Sequence, residues 1–120
     1  MKKTLKVLGT VYRVEVRKYK DDPFFAEDQI NGYCDANQKL IVLCDMRTHP
    51  GWHTAPEETL TAYSRETMRH EIVHAFLNES GLQGSTSILD LPWAANEEMV
   101  DWIAIQGPKL AAAWREMGCE

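Results

Sequence analysis

The sequence contains no apolar run near the roughly 20 residues that a membrane-spanning helix needs, so no membrane partner is expected. Cysteine is scarce. Cys34, Cys44 and Cys119 are odd in number and lack CxxC spacing, which argues against a disulfide framework and fits a reducing cytoplasm. Clustered positive charge is also missing. The net charge is −5, and Lys and Arg are scattered apart from Arg17-Lys18-Tyr19-Lys20, so no nucleic-acid partner is expected. Met1-Lys2-Lys3 begins like a signal peptide, but Tyr12, Arg13, Glu15 and Arg17 occupy the place of an apolar centre and cleavage site. Export is therefore not expected. Repeats, low-complexity stretches and linkers are absent, and 120 residues suit one domain spanning 1–120.

What is present reads as strands first and helices after. Residues Thr4 to Lys20 alternate, with Val7, Val11, Val14 and Val16 among charged residues, and predict one or two strands broken near Gly9. Asp21-Asp22-Pro23 is a turn, and Phe24 to Asp28 a loop or short helical turn. Ile30 to Asp35 and Lys39 to Cys44 flank the polar Ala36-Asn37-Gln38, which predicts a hairpin. Thr54-Ala55-Pro56-Glu57-Glu58 has the composition of a helix start, with a capping Thr, an early Pro and two early acids. That helix should run from about Pro56 to Ser80 and stop at Gly81. Residues Gln83 to Asp90 read as loop. A second helix should follow Pro92 and reach about Gln106, with Gly107-Pro108 separating it from a short helix over Lys109 to Met117. The expected class is α+β, with N-terminal antiparallel strands ahead of the helices.

His70-Glu71-Ile72-Val73-His74 fits the HExxH pattern and falls inside the long predicted helix. Residues four apart share a helix face, so both imidazoles can grip one metal ion. Neutral imidazole suits zinc without excluding iron, nickel or copper. Glu71 sits beside the first histidine, where its carboxylate can take a proton from a metal-bound water whose pKa the metal lowers towards about 7. The motif is short and arises by chance. Its neighbours Ile72, Val73, Ala75, Phe76 and Leu77 indicate a helix buried on most sides, where two inward histidines need a reason.

Catalytic zinc usually takes a third protein ligand and leaves one position open. Asn96-Glu97-Glu98-Met99-Val100-Asp101 offers it, and 22 residues separate His74 from Glu97, enough for a loop and an antiparallel helix. Glu97 shares a face with Val100, Asp101 and Ala104, whereas Glu98 shares one with Asp101, Trp102 and Ile105. The smaller side chains on the first face permit close helix packing and favour Glu97, with Glu98 as the alternative. Asp101, one turn on, could accept a hydrogen bond from a ligating imidazole. Acidic residues also favour a helix start through its dipole, which would account for this pair without any metal.

Together these residues resemble the gluzincin class of metallopeptidases, in which HExxH is followed by a helix carrying Asn-Glu-x-x-x-Asp. The resemblance implies that His70, His74 and Glu97 hold Zn2+, that Glu71 is the general base and that Asp101 supports a histidine. Chain length and element order are more similar to the compact ImmA/IrrE-like metallopeptidases of bacteria and their phages. It covers His70 to Ala104, and Gly32 to Cys44 only loosely. No helical DNA-binding or sensor region of the kind some members carry accompanies it.

The sequence thus predicts a zincin-like, zinc-dependent metallopeptidase acting on a peptide or protein substrate. The rival is a non-catalytic zinc-binding module that recognises a partner on the same scaffold, and hydrolysis of another electrophile is a third, weaker reading. His49 and His53 flank Pro50-Gly51-Trp52 ahead of the helix and could approach the metal, although surface positions are commoner. Cys34 and Cys44 read as buried apolar residues, Tyr63 as core or cleft border, and Trp93, Trp102 and Trp114 as packing between C-terminal helices. Leu40 to Leu43 could pair with an extended substrate if it forms a sheet edge.

Overall fold

The computed structural model describes residues 2–82 and 93–120. Strands β1 (Lys2–Val7) and β2 (Thr10–Lys18) form an antiparallel hairpin. Leu8 and Gly9 both have positive φ, the arrangement whose twist suits a two-residue hairpin turn. A short helix, α1 (Phe24–Glu27), precedes a second antiparallel hairpin of β3 (Gly32–Asp35) and β4 (Leu40–Asp45). Asp35 shapes the turn of this hairpin, accepting hydrogen bonds from the backbone N–H groups of Asn37 and Gln38 at 3.0 Å each.

The sheet order is β1-β2-β4-β3, and β2 pairs with β4 in parallel. The described residues thus form a small α+β fold with a mixed sheet, which corrects the expectation of antiparallel strands alone. Each hairpin is antiparallel because its turn is local. The second hairpin enters the sheet with β4 beside β2 and β3 outside it, a choice that no local pattern encodes. β4 is therefore interior and β3 is an edge, so Leu40 to Leu43 is not the edge strand.

That position explains the unbroken apolar run Leu40-Ile41-Val42-Leu43-Cys44, all of it buried. Ile41 and Leu43 pack with Val7, Tyr12, Val14 and Ala75 on one side. Leu40, Val42 and Cys44 pack with Phe25, Met46 and Leu60 on the other. Each such side chain stabilises the fold by about 1.5–3 kcal/mol on burial. The Arg47–Glu57 ion pair lies at the exposed surface, where water screens it, so the core dominates. Within β2, Val11 is exposed and the neighbouring Tyr12 is buried.

Helix α2 (Glu57–Glu79) matches its predicted span, with Gly81 at positive φ just beyond it. Its N-cap is Pro56 without a side-chain cap, so Thr54 does not hold the expected capping position. The helix is less buried than its sequence suggests. Leu60, Glu71 and Ala75 are buried, while Phe76 is exposed.

Helix α3 (Glu97–Glu116) departs further from expectation, because it continues through Pro108 without a break. Proline has no N–H to offer the carbonyl four residues back, here that of Ala104. Arg69 of α2 supplies the missing donor, its Nε standing 2.5 Å from the Ala104 carbonyl oxygen. The helix therefore keeps its course with the freed acceptor satisfied. It begins at Glu97, after a 3-10 turn over Trp93–Ala95, with the Asn96 side chain capping the Met99 N–H at 2.8 Å. The loop expected over Gln83 to Asp90 lies outside the described residues, and the helix expected directly after Pro92 begins only at Glu97. Trp93, Trp102 and Trp114 are all substantially exposed and do not pack helices together, because Val100 and Ala104 form the buried face instead. Among the described residues, no helix is long and apolar enough to cross a membrane.

The last turn of α2 is tied to the sheet through Glu79. Its carboxylate accepts from Lys39 Nζ at 2.6 Å, Tyr12 Oη at 2.7 Å and Thr10 Oγ1 at 3.0 Å. These donors, Lys39 foremost, hold its pKa down to about 2. A lowered folded-state pKa adds stability above the ordinary carboxylate range and loses it as pH falls towards 2. Thermal melts between pH 5 and pH 2 are thus expected to show a steep loss of stability that is shallower in Glu79→Gln. Equal slopes in the two proteins would discount this tie.

Candidate metal centre

α2 presents Tyr63, Glu66, Thr67, His70, Glu71, His74 and Asn78 along the face turned towards β3 and the start of α3, bordering a cleft of about 590 Å³. His70 and His74 lie one turn apart, and their Nε2 atoms are 3.1 Å from each other. Glu97 approaches from the first turn of α3. Its Oε2 is 3.0 Å from His70 Nε2 and its Oε1 is 3.0 Å from His74 Nε2. The Asn96 cap starts the helix one residue before Glu97, and the buried Val100 and Ala104 seat that face against α2. Glu98 does not border the cleft.

Asp101 fixes the chemistry of His70. Its Oδ1 lies 2.7 Å from His70 Nδ1, so the imidazole donates its Nδ1 proton there and, when neutral, turns a bare Nε2 lone pair inward. That lone pair then faces the Glu97 carboxylate and His74 Nε2. Three electron-rich groups within about 3 Å of one another cannot all be satisfied by a single remaining imidazole proton. A cation satisfies them together. Ligand atoms around tetrahedral zinc, with bonds of about 2.0–2.1 Å, are roughly 3.3 Å apart, close to the spacing found here. His70, His74 and Glu97 therefore fit a metal ion by both donor chemistry and distance. Glu71 also belongs to the cluster, since its ligand atom and those of His70 and His74 all lie within 4.8 Å.

Glu71 differs from Glu97 in environment. Its side chain is 8% exposed, and Oε1 is 3.9 Å from His70 Nε2. Burial pushes its carboxyl up to about 7, opposed by His70 and reinforced by the charges of Glu97 and Asp101. Burial likewise lowers the pKa of His74, with Glu97 opposing, so the neutral, metal-competent imidazole is favoured. One carboxylate is thus exposed beside both imidazoles while its neighbour is buried and poised near neutrality. That division suits a ligand and a proton acceptor respectively.

The structure brings His70, Glu71, His74, Glu97 and Asp101 into one cluster. His49 and His53 stand apart from the cleft. His49 makes an edge contact with Tyr19, ring centroids 4.7 Å apart, and both imidazoles bond within their own loop. Tyr63 does both things expected of it, stacking on Trp52 and bordering the cleft. Cys34 borders the cleft from β3, but burial pushes its thiol up to about 12, so it remains protonated and a poor nucleophile.

Several contributors escaped the sequence. Glu66, Thr67 and Asn78 occupy helical positions that place them on the His70 face, a signal that spacing could have given. Asn31, whose Nδ2 donates to Tyr63 Oη at 2.9 Å, and the β3 backbone depend on tertiary placement alone. No family model matches the chain, and no curated protein or solved structure does.

Elemental analysis of protein purified without a metal-affinity tag should find about one zinc per chain. His74→Ala and Glu97→Ala should each lose most of it, and Asp101→Asn should weaken affinity by about 10–100-fold. Glu98→Ala should leave it unchanged. Zinc kept by Glu97→Ala but lost by Glu98→Ala would reverse the assignment of the third ligand.

Proposed function

We propose that this chain is a zincin-like, zinc-dependent metallopeptidase that hydrolyses a peptide or protein substrate in the cleft between α2, β3 and α3. The observation that carries the reading is the triangle of His70 Nε2, His74 Nε2 and the Glu97 carboxylate, with the buried Glu71 beside it. A zinc ion held by these three residues would supply Lewis acidity to polarise a carbonyl and acidify a water.

The chain's own residues account for the rest. Asp101 holds the His70 ring in the tautomer that turns Nε2 inward. Glu71 accepts a proton from the attacking water as its oxygen bonds to the carbonyl carbon, then returns a proton to the amine as the C–N bond breaks. Its burial keeps bulk water from competing for that proton and maintains its basicity near neutral pH.

The edge strand supports a peptide rather than a compact small substrate. Among the described residues β3 pairs with β4 on one side only, and its other side borders the cleft. The Asn31 carbonyl accepts from the Cys44 N–H, so Asn31 faces β4. By the alternation of an antiparallel ladder, Tyr33 does too, leaving the N–H and C=O groups of Gly32 and Cys34 directed outward. An extended peptide can add a strand there through its main chain.

Replacing Glu71 by Gln is the decisive change, because it keeps the shape and removes the proton acceptor. The zinc-loaded variant should retain metal while losing 100-fold or more (roughly) of the wild-type cleavage of a denatured protein such as casein. Unchanged cleavage would remove Glu71 from the chemistry. Absence of cleavage by wild type across unfolded substrates, with zinc present and peptides bound, would favour the non-catalytic module.

A further inference from the structure

We infer that Glu66 makes the cleft selective for a Lys or Arg side chain at the first or second residue on the leaving-amine side of the scissile bond. The inference rests on the peptidase reading and assigns that site its substrate class.

The charged residues bordering the cleft are Glu66, Glu71, Glu97 and Asp101, and no Lys or Arg borders it among the described residues. Three of the four are engaged. Glu97 and Asp101 contact the imidazoles, and Glu71 is almost wholly buried. Glu66 has no hydrogen bond or ion pair with any described residue, is half-buried, and sits one turn before His70 on the same face. A carboxylate with partly reduced hydration and no internal partner would gain most from a cation that arrives with the substrate. Its neighbours in the cleft, Asn31, Tyr63 and Thr67, are uncharged and complete their own bonds.

The direction of the chain decides which substrate residue Glu66 meets. Gly32, at the start of β3, lies against Thr67, where a Cβ would come 2.9 Å from Thr67 Cγ2. Just before it, Asn31 bonds Tyr63, and just after the hairpin turn Lys39 bonds Glu79. β3 and α2 therefore run in the same direction past the histidines. A peptide pairing antiparallel with β3 enters at the Asn78 end and leaves towards Tyr63 and Glu66. Glu66 precedes His70 by four residues, about 6 Å along the helix axis. That is less than two residues of extended chain, which puts Glu66 beside the first residues after the cleaved bond.

The test uses fluorescein-labelled octa-alanine peptides carrying one central Lys, Leu or Glu, with binding to zinc-loaded Glu71→Gln protein followed by anisotropy. The Lys peptide should bind about tenfold more tightly than the Leu peptide, as expected of a charge-assisted hydrogen bond. Adding Glu66→Gln should cut that advantage to about twofold or less with zinc retained, and Glu66→Lys should turn it towards the Glu peptide. In wild-type digests, mass spectrometry should find cuts immediately before Lys or one residue before it. A Lys advantage that survives both Glu66 substitutions, or none at the outset, would overturn the inference. The two readings fail separately: charge preference without cleavage removes the peptidase and leaves Glu66 as the reader of basic peptides, whereas cleavage without preference does the opposite.

Discussion

The cluster depends on how closely α2 and α3 approach. Val100 and Ala104 have no exposed surface, and their small side chains let the first turns of α3 lie against the histidine face of α2. Glu97 reaches both imidazoles only because of that approach, and Asp101 reaches His70 for the same reason. A bulkier residue at position 104 would move both carboxylates outward together. The local elements reinforce this contact. Asn96 caps the helix so that its first residue is Glu97, while Arg69 ties α2 to the carbonyl that Pro108 leaves free. Carboxylate placement, tautomer control and helix packing thus share one interface.

The sheet supplies the opposite wall, and polar networks hold it in place. Asp22 is buried, accepting from Arg17 at 2.8 Å and from Tyr33 Oη at 2.6 Å. Arg17 also bonds Glu15. These bonds hold the Asp22 carboxyl below its usual range against the opposing effect of burial. They anchor the middle of β3 from the side away from α2, as Glu79 anchors the end of α2 to β2 and Lys39. An edge strand has neighbours on one side only, and here it is fixed by charge-assisted bonds.

Much of the arrangement was legible because it is local. The second hairpin follows from its polar turn, and the i, i+4 spacing of His70 and His74 requires only that the helix forms. That Glu97 rather than Glu98 faces the histidines was readable from the small residues on its side of α3. What could not be read depends on partners distant in sequence. The parallel pairing of β2 with β4 is decided by which strands meet, not by any turn. The helix passes Pro108 because Arg69 provides a donor that no local rule anticipates. The tryptophans suggested a helix interface by size, yet the structure uses smaller residues there and leaves them outside.

Gly32 gives the cleft one further property. A side chain at this position would meet Thr67 Cγ2 at 2.9 Å, Leu43 Cδ2 at 3.0 Å and the Val42 carbonyl oxygen at 3.2 Å, on three sides at once. Two of those neighbours belong to the interior strand, so β3 could not yield in that direction and would have to swing away from α2. The absent methyl group is what lets β3 lie this close to Thr67 of α2. Any larger residue at position 32 would therefore shift the β3 wall of the cleft while leaving the spacing of His70 and His74 on α2 unchanged.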